Sequence, residues 1–223
     1  MNLYQRLLTE TTQEREYLLS APIIKRCFDA DVQTSDYVAF LTQAYHHVKH
    51  TVPLLMAVGA RLPENKEWLR EAVAEYIEEE LGHQEWVLND IEACGYDKEK
   101  ARGSQPNLAT ELMVSYAYDS INRNSPLAFF GMVHVLEGTS IAMADNAASN
   151  IQKAIGLPKK AFSYLRSHGS LDIEHVKFFE DLMTKIDDID EQNIIVLSAK
   201  KFFILYGNMF RSLDTSEAKL AVA

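Results

Sequence analysis

Apolar residues recur at helical spacing along nearly the whole chain, and runs of β-branched residues are short. Leu3, Leu7, Leu8 and Leu18 fall on or near one stripe, which predicts an amphipathic helix over 2–20. Ala21-Pro22 breaks it, and a short helix is expected to about Asp29. Thr34, Ser35 and Asp36 offer caps for a long helix that ends before Leu62-Pro63. Another long helix is expected over 64–94, closed by Gly95, and a further one over 107–122. Ser125-Pro126 places proline in the first turn of a helix that runs to about Ile155, where Gly156-Leu157-Pro158 breaks it. Residues 159–183 read as helix with an interruption expected at Gly169, and the last helix spans 190–211. The tail 212–223 is expected to fray. No linker is long or rich in Pro, Gly or Ser, and no internal repeat is visible. The pattern predicts one all-α domain over 1–211, a bundle of about seven to nine helices.

The chain has 223 residues, 47% of them hydrophobic, which is enough for one large core. Its net charge is −10, and the pairs Lys25-Arg26, Lys159-Lys160 and Lys200-Lys201 read as solvated helix faces. A basic patch for nucleic acid is therefore not expected. Cys27 and Cys94 have no CxxC partner, so neither a zinc–thiolate site nor a disulfide framework is expected, and a reducing cytoplasmic setting fits. The N-terminus is too charged for a signal peptide. No apolar run approaches the roughly 18–20 residues that span a bilayer, so no membrane is expected as a partner.

The candidate chemistry lies in three segments. In His168-Gly-Ser-Leu-Asp172-Ile-Glu-His175, two imidazoles and a carboxylate stand at i, i+4 and i+7 and share one helix face. Such a set suits a divalent first-row metal, iron or manganese. The second segment is Glu75-Tyr-Ile-Glu78-Glu79-Glu80-Leu-Gly82-His83, where Glu80 and His83 have the Glu-x-x-His spacing of dimetal helical bundles. On an ideal helix Glu80 lies about 4.5 Å along the axis from His83 and about 60° around it; for Glu79 the figures are about 6 Å and 40°, for Glu75 about 12 Å and 80°. Ideal geometry barely separates Glu80 from Glu79, which stays as the alternate. The third is Glu137, the one acidic residue in an apolar stretch from Ala128 to Met143. A buried carboxylate must be neutralised, paired or metal-bound, and His134 at i−3 is its alternative partner. Glu80, His83, Glu137, His168, Asp172 and His175 make an inventory of three carboxylates and three imidazoles, the kind that carboxylate-bridged dimetal sites in bundles use. His47, His50 and His134 are candidates for pocket-lining or supporting positions.

At these residues the chain resembles the heme-oxygenase-like di-iron oxidases and oxygenases, a branch of the superfamily that includes TenA, PqqC and CADD-like proteins. The resemblance runs from about Thr34 to Phe179. It rests on Glu80 and His83 of one helix, Glu137 some fifty residues later, and His-x3-Asp-x2-His at His168, Asp172 and His175. In some members the first glutamate stands seven residues before the histidine, a position held here by Tyr76. The resemblance implies a seven-helix, TenA-like bundle with a central metal and substrate pocket, two iron ions, O2 as co-substrate, and oxidation of a small amino-acid-like or fatty-acid-like molecule. It also implies a homodimer.

Three other readings compete. A TenA-like hydrolase needs an activated cysteine, and neither Cys27 nor Cys94 falls in the expected pocket-lining segment, where Val133–Gly138 carries glutamate instead. A cofactorless PqqC-like oxidase needs histidines and arginines, and Arg123 and Arg166 are the arginines nearest the motif. A non-catalytic small-molecule-binding protein would use the histidines only for core hydrogen bonds.

Overall fold

Three helices that the hydrophobic pattern draws as continuous are each broken in two, and the breaks shape the site. The computed structural model describes the backbone of residues 1–214 and, except for 168–175, their side chains. The first expected helix divides into α1 (Leu3–Glu10) and α2 (Thr12–Leu19). At the join the buried Thr11 hydroxyl donates to the Leu7 carbonyl at 2.6 Å, a side-chain bond that competes with the helical ladder. After α3 (Pro22–Phe28), the second expected helix divides into α4 (Thr34–Val48) and α5 (Thr51–Arg61). Pro53 explains this break. It has no N–H to give the Lys49 carbonyl four residues back, so the ladder cannot run through. The third divides into α6 (Glu67–Glu80) and α7 (His83–Ala93), because Gly82 adopts φ +91°. That conformation suits glycine and ends a helix.

Elsewhere the punctuation acts as expected. Gly95 and Gly156 take positive φ at helix ends, and Asp36 accepts the Gln33 N–H at 3.0 Å to start α4. A short helix that the pattern does not announce, α8 (Lys98–Gly103), is capped by Asp97. Next come α9 (Leu108–Asp119), α10 (Phe129–Ile155), α11 (Ser163–Thr184) and α12 (Ile189–Ser212). α11 runs through Gly169 without the expected interruption, and there is no strand among the described residues. The tail expected to fray from 212 is held as far as Asp214. Leu213 is fully buried, and Arg26 donates to Asp214 at 3.0 Å.

α10 is the central helix and packs against both α11 and α12. Gly131 lets α10 and α12 touch: a Cβ there would stand 2.5 Å from the Ala199 backbone nitrogen. Ser198 of α12 also donates to the Ala128 carbonyl at 2.6 Å. The expectation that no segment reaches membrane-spanning length is corrected here. Pro126–Ile155 is long and apolar enough by length and composition, but 56% of its most apolar window is buried inside the protein, as in a core helix. One hydrophobic cluster joins α1, α2, α5, α6, α10 and α12. A second joins α4, α7, the later turns of α10 and the start of α11.

α7 also fixes where α11 begins. Asp90, fully buried, accepts from the Ser163 N–H at 3.0 Å, the Ser163 hydroxyl at 2.5 Å and the Tyr164 N–H at 2.9 Å. These are donors that the first turn of α11 cannot satisfy internally. Burial holds the Asp90 carboxyl above its ordinary range despite those donors.

Candidate metal and substrate site

The break at Gly82 brings two candidate ligands together. Glu80 ends α6, His83 begins α7, and Glu80 Oε2 lies 3.0 Å from His83 Nδ1. The Glu80 side chain is 19% exposed and that of His83 6%. Glu79 and Glu75 are exposed, which turns them away from this contact.

Tyr76, one turn before Glu80, links that pair to the central helix. It is 3% exposed, and its hydroxyl has no hydrogen-bond partner among the described residues. Burial pushes its phenol well above the ordinary value, and Glu137, Glu79, Glu80 and Glu75 push it further. The charges acting on this hydroxyl are thus carboxylates from α6 and from α10. Its ring sits 5.4 Å from that of Phe178 on α11. α6 and α11 therefore meet at Tyr76, and α11 also packs on α7 and α10.

Glu137 lies where α10 passes from fully buried to half-buried residues. It lines a cavity of about 230 Å³ between α1, α2, α10, α11 and α12. His134 lines the same cavity and is held by aromatic rings: Tyr4 and Phe203 edge-on at 6.4 and 6.0 Å, and Phe179 stacked at 6.1 Å. These rings keep His134 in place. Burial, with a smaller push from the Arg15 charge, lowers the His134 imidazole to about 4. It is a neutral ring at pH 7.

The other expected residues fall as follows. His168, Asp172 and His175 lie on α11, with their side chains outside the described residues. Among the described residues no group of three metal-ligating side chains converges. His47 and His50 do not share a helix face as the continuous helix implied. His47 is in the last turn of α4, buried against the Tyr206 ring at 5.9 Å. His50 stands in the break, its Nδ1 3.1 Å from the Tyr118 hydroxyl of α9. Neither lines the cavity beside Glu137.

A family model for iron-containing redox enzymes with heme-oxygenase-like character matches residues 38–207, which include all six candidate ligands. The chain belongs to this family. Among solved structures it is similar to a heme-oxygenase-like domain of unknown function from Shewanella denitrificans OS217, with 21% identity, a TM-score of 0.85, and 94% of this chain and 91% of that one covered. It is also similar to a TenA homologue from Pseudomonas syringae pv. tomato, with 13% identity, a TM-score of 0.78, and 94% and 91% covered. A CADD-like protein of unknown function from Nostoc punctiforme has 15% identity, a TM-score of 0.72, and 99% and 96% covered. At these identities the likeness carries the heme-oxygenase-like fold and nothing finer. No curated protein matches in sequence.

Within this member of the family, sequence reasoning missed three residues. Tyr76 had one signal, its place seven residues before His83. Asp90 and Arg15 had none, because only the packing brings them to α11 and to the cavity. Cys27 lines a separate, apolar cavity of about 90 Å³, walled by α3, α4, α10 and α12 and away from Glu137. Its thiol is pushed up to about 11 by burial, and that of Cys94 to about 12. Arg123 pairs with Asp119 at the surface and Arg166 donates to Gln152, so neither arginine near the motif lines the cavity beside Glu137.

Proposed function

We propose that this chain is a non-heme di-iron oxidase or oxygenase that uses O2 to oxidise a small organic substrate. The observation that supports this most directly is the largely buried contact between Glu80 and His83, one turn after the buried Tyr76, in a chain of this iron-containing family. Two carboxylates and an imidazole, on α6, α7 and α10, are donors of the kind that suits a hard to borderline divalent cation. Glu80, His83 and Glu137 would hold the metal with His168, Asp172 and His175 of α11. Two irons so bound would supply open coordination positions for O2 and the electrons for its activation.

The protein's own part is to shape and dry the cavity. Tyr4, His134, Phe179 and Phe203 wall it with rings, and His134 stays neutral, so it adds no positive charge beside Glu137. The Tyr76 hydroxyl, protonated and buried, would give a hydrogen bond to an oxygen atom bound at the site. A cysteine hydrolase fits less well, because burial keeps both thiols protonated.

The test is anaerobic Fe(II) loading of the chain followed by metal analysis. The expected result is two irons per chain, and Glu137→Ala should lose iron with little change in melting temperature. Uptake of no more than stray iron by the wild-type chain would overturn the proposal.

A further inference from the structure

We propose that the apolar cavity beside Cys27 binds a small uncharged gas, which then reaches the cavity of Glu137 between Thr139 and Met143. That the gas is O2 rests on the function proposed above; that the cavity holds a gas does not. The two cavities share a wall. Thr139 and Met143 stand one turn apart on α10, both half-buried, and among the described residues they are the two that line both cavities. At the other end Phe28, 44% exposed, lines the apolar cavity, which therefore reaches the surface beside α3. The unbranched thioether of Met143 turns aside more readily than a branched or ring side chain, so it is the part of the shared wall that can open.

Size and lining together say what this cavity takes. Its volume is about 90 Å³. An apolar protein cavity of about 150 Å³ stays dry and takes benzene or xenon, so the space here suits something smaller than a benzene ring. Ile24, Phe40, Ala144, Ile151, Leu165 and Phe210 supply apolar wall. Of the polar side chains along it, Tyr37 donates its hydroxyl to the Ala161 carbonyl at 2.9 Å, and Asp36 accepts from the Gln33 N–H at 3.0 Å and from Arg26 at 3.3 Å. No cation lines the cavity among the described residues, and Asp36 repels an anion, so a carboxylate or phosphate finds nothing to hold it. An amine gains little, because Arg26 already neutralises Asp36. Water needs two to four polar partners and is weakly held. An apolar gas needs none and leaves water for such surroundings.

The experiment is methyl NMR of the full, metal-free chain, labelled at its methionine methyls, under rising xenon pressure. Met143→Leu identifies the Met143 signal. That signal should shift with pressure and saturate. Ala147 lines the apolar cavity and not the cavity of Glu137, so Ala147→Phe should fill the first and abolish the shift. Ala147→Leu fills less and guards against a variant that does not fold; it should weaken xenon binding severalfold. A Met143 signal that stays still, that moves without saturating, or that responds equally in a folded filled variant would overturn the site. Stopped-flow oxidation of the Fe(II)-loaded chain at varied O2 reads the passage to Glu137. Ala147→Leu should slow the reaction with O2 severalfold at unchanged iron content, and an unchanged rate would overturn the passage. Saturable xenon binding in a chain that takes up no iron would uphold the gas cavity while removing the oxidase reading.

Discussion

Glu80 and His83 meet at 3.0 Å across a helix break, with Gly82 at φ +91° between them. In an unbroken helix the same two residues would be stacked neighbours, their relative position set by the helical pitch. Here the last residue of α6 and the first of α7 are aimed at each other by the turn, so the contact depends on a conformation that residues with a Cβ adopt at a cost.

Gly82→Ala should therefore lower stability by about 1–2 kcal/mol through left-handed backbone strain, and nothing within 4 Å adds a steric penalty. It should weaken iron binding further, by straightening the turn. Gly82→Asn, which tolerates this region better, should lie between the two. Thermal melts and Fe(II) titration of the three chains check the order, and equal iron affinities would separate the turn from the site.

The buried Tyr76 hydroxyl gives opposite signs for stability and metal binding. With no hydrogen-bond partner it carries a desolvation penalty, so Tyr76→Phe should leave the metal-free protein as stable or up to about 1 kcal/mol more stable. If the hydroxyl serves the carboxylates of the site, the same change should weaken Fe(II) binding severalfold. Chemical denaturation of the metal-free chain and equilibrium metal titration read the two effects separately.

Asp90 should act on the site without touching it. Removing its carboxylate leaves two backbone N–H groups at the start of α11 without an acceptor, at a cost of about 3 kcal/mol. Asp90→Ala should melt lower. It should also exchange amide hydrogens faster in the first turns of α11, the helix that carries His168, Asp172 and His175. Unchanged exchange there would mean that packing alone holds α11.

The helices were legible in the sequence wherever an apolar stripe ended at a strong punctuator: Pro22, Gly95, Pro126 and Gly156 all mark real boundaries. The internal breaks were harder to read. Threonine and glycine occur inside helices often enough that Thr11 and Gly82 announce nothing alone. The missing N–H of Pro53 was a signal for the break two to four residues upstream, and the long apolar pattern around it masked that signal. The contact of Glu80 with His83 was legible from their spacing, and the half-buried place of Glu137 from an acidic residue in an apolar stretch. Glu80 follows the buried Tyr76 by one turn of α6, and the break at Gly82 brings His83 to it. Arg15 was not legible at all, because a charge between two glutamates on a short, mostly polar helix reads as solvated surface until the fold sets it in a cavity wall.

His134 supplies a pH test. Burial among rings lowers its imidazole from 6.5 to about 4 in the folded chain. Between those values the unfolded chain binds a proton that the folded chain refuses, so stability falls as pH drops below about 6.5 and this contribution levels off below about 4. By pH 5 the loss from this one residue is about 2 kcal/mol. His46, also lowered to about 4 by burial and by Lys49, acts in the same direction. His134→Phe keeps a ring in the cage of Tyr4, Phe179 and Phe203 and removes the titration. Its urea midpoint should therefore fall less than that of wild type between pH 7 and pH 5, by an amount worth about 2 kcal/mol. Parallel losses in the two chains would mean that His134 takes up its proton in the folded state as readily as in the unfolded one.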